Sequence, residues 1–156
     1  MGLDMYLQAK MKCNKDFIKL NKDYEKFNPN SISFDVAYWR KANAIHGYFN
    51  RLSRVRNGCE IENCQTFDNL EMADFDKLED ICKRILKAKG KNRLEIIQLE
   101  LPPMEGFFFG NTNLDEKSIN DYYMEDIKTT LENIARCREI YKLSKGNCWF
   151  EYHAWW

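Results

Sequence analysis

The stretch GLDMYLQAKM, Gly2 to Met11, alternates. Leu3, Met5 and Leu7 fall on one side, and Asp4, Tyr6 and Gln8 on the other. A period of two is the pattern of a strand with one face in a core. The far end, CWFEYHAWW at 148–156, alternates as well and predicts a final strand. Between the two, apolar residues recur at helical spacing. Asp35 predicts the cap of a helix from Val36 to Arg56, with Tyr38, Ala42, Ile45, Phe49 and Leu52 on its core side. Asp74 predicts the cap of a second helix, Phe75 to Lys89, closed by Gly90. A third is expected over Ile119 to Leu143. The fold class is therefore α+β: a small antiparallel sheet, built from the N-terminal and C-terminal strands, packed by about three helices. Residues 1–156 form a single domain.

The linking segments are less regular. Phe17, Leu20, Tyr24 and Phe27 suggest a short helix over Lys15 to Phe27, ended by a turn at Asn28-Pro29-Asn30. CEIENCQTFDNLE reads as loop with a short strand. RLEIIQLELPP fits either a helical extension or a strand, and two prolines end it.

Composition narrows the class. Lysine plus arginine equals aspartate plus glutamate, so the net charge is zero and generic DNA binding is not expected. No run approaches the about 18 apolar residues of a membrane span. The N-terminus has no apolar leader core, and an intracellular setting with reduced thiols is expected for the six cysteines. Cys59 and Cys64 lack a second pair at zinc spacing, so no metal site and no cofactor is expected. Cys82 and Cys137 lie in helical patterns and read as core residues.

Two stretches carry more chemistry than packing requires. In YWRKANAIHGYF (38–49), Trp39, Asn43 and His46 form a line beside the expected core stripe, with Arg40, Arg51 and Arg54 further around. His46 is either a hydrogen-bonded boundary residue or a proton carrier. The arginines are either a solvated face or an anion clamp, beside which Trp39 can stack on a base. In GFFFGN (106–111), glycines bracket three phenylalanines. The segment is either a buried aromatic connection or a loop whose Gly110 and Asn111 approach an anion. It lacks the P-loop pattern. No Ser-His-Asp order, Cys-His pair, nucleophile elbow or Rossmann fingerprint appears.

GLDMYL (2–7), YWRKANAIHGYF (38–49), LPPMEGFFFGNT (101–112) and DYYMEDIKTTLE (121–132) together resemble a family of small phage and prophage proteins. The likeness is carried by Gly2, Asp4, Tyr6, Tyr38, Trp39, Arg40, Lys41, Asn43, His46 and Phe49. It continues through Gly106 to Gly110 and then Tyr122, Tyr123 and Asp126. Tyr48 departs from it, standing where the family has tryptophan, and LDEKSIN (114–120) is longer than usual. The resemblance implies an accessory protein in the cytoplasm of a bacterial host cell. Its expected partner is a bacterial defence protein or a nucleotide-like small molecule. The expected ligand residues are Trp39, Arg40, Asn43 and His46, faced by Phe107, Phe108, Gly110 and Asn111. An alternative is a small nucleotide- or nucleic-acid-processing hydrolase or transferase, with His46 as acid/base assisted by Asp4 or Asp126. A third expectation is a homo-oligomer joined through aromatic surface.

Overall fold

Backbone pairing makes the first strand the centre of the sheet. The computed structural model describes residues 2–13, 31–112, 119 and 121–156. The expected helix over Lys15 to Phe27 lies outside these residues, as does nearly all of LDEKSIN. Strand β1 (Asp4–Lys12) pairs antiparallel on one side with β2 (Ser31–Arg40) and on the other with β4 (Cys148–Trp155). The short β3 (Thr66–Leu70) completes the order β2-β1-β4-β3. As the alternation predicts, Leu3, Met5, Leu7 and Ala9 are fully buried while Asp4, Tyr6, Gln8 and Lys10 face away. Beside them, Phe150, Tyr152 and Ala154 of β4 point into the same core.

The described residues hold four helices, α1 (Asn43–Asn57), α2 (Met72–Lys87), α3 (Gly90–Glu100) and α4 (Asp121–Leu143), and α1, α2 and α4 reach that sheet. Helix α2 packs on α3 and α4, while α4 also reaches β2 and α1 reaches β3. Phe49 of α1 stacks on Tyr152 with ring centroids 4.3 Å apart, and Phe75 of α2 meets Phe150 edge-on at 5.2 Å. Cys82 and Cys137 are buried in this core, and all six cysteines are free thiols. No helix among the described residues is long and apolar enough to cross a membrane.

The expected helix from Val36 to Arg56 is corrected at its start. Val36 to Arg40 belong to β2, and the helix begins only at Asn43. The free edge of β1 supplies ladder hydrogen bonds to this run, and its aromatic residues suit a strand. Leu7 faces Ala37 and Gln8 faces Asp35, so Val36 is the extra residue of a bulge. That bulge lets adjacent Val36 and Ala37 both be buried.

Elsewhere the boundaries move less. Helix α2 starts earlier than expected: Glu71 is its cap and Asp74 the third helical residue of a capping box. Asp74 also takes the Arg56 guanidinium bidentately, at 2.6 and 2.7 Å. The ambiguous RLEIIQLE segment is helical, which makes four helices among the described residues. The short strand in CEIENCQTFDNLE is β3.

Candidate functional site

The chain turns from β2 into α1 at Lys41, a non-glycine residue with φ +60°. Its N–H still donates to the Leu3 carbonyl at 2.7 Å, so the ladder runs to the corner. No side chain caps the helix that follows. Arg40 and Lys41 are thus consecutive cations at the end of a strand and the mouth of a helix.

Asn43, on the first turn of α1, is 6% exposed. Its Nδ2 donates to the Phe109 carbonyl at 3.2 Å and to the Asn111 carbonyl at 3.1 Å. One side-chain amide therefore fastens the GFFFGN loop to the helix. The loop is shaped for this. A Cβ on Gly106 would stand 2.5 Å from the Phe109 ring, so that ring folds back over the glycine. Gly110, at φ +97°, passes against Lys41. Phe109 itself is buried, edge-on to His46 at 5.2 Å and to Trp156 at 5.0 Å.

Between these parts and α4 lies a cleft of about 630 Å³. Arg40, Lys41 and Asn43 line one side, and Gly110 and Asn111 come from the loop. The first turns of α4 contribute Tyr122, Tyr123 and Asp126. The Tyr123 hydroxyl donates to the Leu101 carbonyl at 2.9 Å, which ties α4 to the segment leading into the loop. Tyr122 is 81% exposed. Burial, and then the charge of Glu125, push the Asp126 carboxyl up to about 7. Among the described residues, Arg40 makes a loose pair, its Nε 3.9 Å from Asp4 Oδ1. The cleft thus carries two cations on one wall and a half-buried carboxyl on another.

Of the expected ligand residues, Arg40, Asn43, Gly110 and Asn111 meet in this cleft. Trp39 and His46 do not. Trp39 lies on β2, 3% exposed, and its Nε1 donates to Thr130 Oγ1 of α4 at 3.0 Å. His46 has no exposed surface. Its Nδ1 is 2.8 Å from the Tyr152 hydroxyl, Nε2 has no partner among the described residues, and burial lowers the imidazole to about 4. Both are core groups because the strand-to-helix corner turns them inward. Phe107 and Phe108 are exposed on the loop, edge to each other with centroids 4.3 Å apart, and do not line the cleft. Arg51 donates to the Glu100 carbonyl at 3.0 Å and Arg54 pairs with Glu60 at 3.0 Å, so neither joins the cleft. The alternative acid/base set does not converge. His46 is enclosed, Asp4 accepts from the Tyr38 hydroxyl at 2.5 Å, and Asp126 faces the cleft.

Lys41, Tyr122 and Tyr123 are cleft residues that sequence reasoning gave no role in a site. Apart from the resemblance they share in, Lys41 carries its signal in being adjacent to Arg40, and Tyr122 in being an aromatic on the outer side of a helix start. No group of His, Cys, Asp and Glu suited to a metal ion occurs among the described residues. Comparison of the chain with protein-family models, with curated proteins and with solved structures finds no match.

Proposed function

We propose that the protein binds a small nucleotide-like anion in the Arg40–Lys41 cleft. The observation that carries this reading is the pair of consecutive cations on one wall of a cleft of about 630 Å³, a size suited to such a ligand. Arg40 offers a planar fork for a phosphate, and Lys41 a second charge beside it. The Asn43 fastening keeps the loop wall in place before a ligand arrives, which lowers the ordering cost of binding. The resemblance to phage proteins supplies the setting: sequestering a nucleotide signal would blunt a bacterial defence. The exposed Phe107–Phe108 pair favours a second reading, in which the loop docks on a defence protein.

Titration calorimetry with nucleoside diphosphates tests the first reading. Arg40→Ala and Lys41→Ala are each expected to weaken binding about tenfold or more, as loss of a charged hydrogen bond does. Absence of heat with every nucleotide, or full affinity in both variants, overturns it. Retention of a host protein that is lost in Phe107→Ser would favour the second reading.

A further inference from the structure

We propose that Asp126 reads the base of the bound nucleotide and selects one with two adjacent N–H donors, as guanine has. This rests on the nucleotide reading of the cleft and adds the identity of the base.

The argument starts from the carboxylate. Asp126 lines the cleft, yet its side chain has no ion pair and accepts no hydrogen bond among the described residues. Among the described residues, the side-chain hydrogen bond made at this residue goes to its backbone: Thr130 Oγ1 donates to the Asp126 carbonyl at 2.7 Å. A half-buried carboxyl without a donor holds on to its proton, and a pair of donors arriving from outside is what lets it ionise. An ionised carboxylate only accepts, through two oxygens side by side, which matches two neighbouring N–H groups. Guanine presents that pair on its Watson–Crick edge, and adenine presents one donor beside an acceptor.

Placement agrees with this. Tyr122 and Asp126 are four residues apart on α4 and so share one helix face. The exposed Tyr122 ring gives a base a surface to stack on while its edge meets Asp126. The cations of the cleft, Arg40 and Lys41, belong to the β2–α1 corner, where a phosphate would sit. Tyr123 is not a second reader, since its hydroxyl already donates to the Leu101 carbonyl.

The test measures GDP, ADP and XDP by titration calorimetry on the full chain and on Asp126→Asn. Asparagine keeps the shape but replaces one acceptor by a donor, which suits the N–H and carbonyl of xanthine. The wild type is expected to prefer GDP over ADP by roughly tenfold or more. Asp126→Asn is expected to lose that preference and take XDP instead. A melting midpoint close to wild type confirms that the variant is folded; should it fall far short, the wild-type preference decides alone. Equal affinity of the wild type for GDP and ADP, or a GDP preference that survives in folded Asp126→Asn, overturns the base reading and leaves the anion site standing. No binding of any of the three overturns both.

Discussion

The side-chain amide of Asn43 donates to the Phe109 carbonyl at 3.2 Å, across 66 residues of sequence. The same Nδ2 reaches the Asn111 carbonyl, so one nitrogen holds both ends of the loop tip. Asn43→Ala leaves these carbonyls without their donor and is expected to cost about 1–3 kcal/mol. Asn43→Asp, which cannot donate when ionised, should cost more. Urea unfolding of the two variants measures this, and an aspartate variant as stable as wild type would refute the fastening.

Gly106 stands under the Phe109 ring, where a Cβ would come within 2.5 Å. Gly106→Ala must therefore push the ring out of its place between His46 and Trp156. A loss of about 1–3 kcal/mol is expected, the range for an overfilled core. Gly106→Ala combined with Phe109→Ala should recover part of what the two changes cost separately, because the clash is gone. Strictly additive losses in a double-mutant cycle would show that the two do not press on each other.

Lys41 separates backbone from charge. At φ +60° a Cβ is unfavourable, and glycine is not. Lys41→Gly should be more stable than Lys41→Ala by about 1 kcal/mol, while both lose nucleotide affinity alike. Thermal or urea unfolding gives the first comparison and calorimetry the second. Equal stability of the two variants would mean that the corner is unstrained.

A buried histidine and a half-buried aspartate give opposite pH responses. Burial lowers His46 from 6.5 to about 4, so between those values the unfolded chain takes a proton that the folded one refuses. Stability from this group is complete above about pH 6.5 and falls by up to about 3 kcal/mol as the pH drops toward 4. Asp126 is raised from 3.8 to about 7, so its folded form keeps a proton that the unfolded chain has released. Its contribution falls as the pH rises through that window. Asp126→Asn removes this opposing response. The urea midpoint of the variant should then climb more steeply from pH 4 to 6.5 than that of the wild type, and parallel curves would refute the assignment.

Much of the sheet was legible in the sequence, and the reason is geometric. Leu3, Met5 and Leu7, and likewise Phe150, Tyr152 and Ala154, alternate because one side of the sheet is packed. Strand β2 was not legible. Tyr38 and Ala42 lie at helical spacing from Ile45 and Phe49, so a strand running into a helix imitated one longer helix. The corner between them rests on Lys41 rather than on a glycine or asparagine that would have marked it. The flanking glycines made the GFFFGN loop a candidate for the facing wall, but whether the two meet was not legible, since it depends on the fold of the chain between them. Nor was it legible which phenylalanine faces inward, because that depends on Gly106 yielding space to Phe109. Asp126 was a candidate only as an assistant to His46; as a ligand residue it lay hidden among Asp121 and Glu125, carboxylates that a helix N-terminus favours anyway. Only its placement in the cleft sets it apart from them.

The pairing of β1 with β4 has a mechanical consequence. Asp4 lies opposite Trp155, and Met11 lies opposite Cys148. Tension applied at Asp4 and Trp155 therefore pulls across the ladder, along its hydrogen bonds, and loads one rung at a time. Such a ladder peels like a fastener instead of shearing as a block. Since these two strands are the middle of the sheet, the first rungs to part split the floor of the core. Stretched between handles at those two positions in an optical trap, the protein should open at low force and in one step. Handles that load the same strands in shear should demand markedly more.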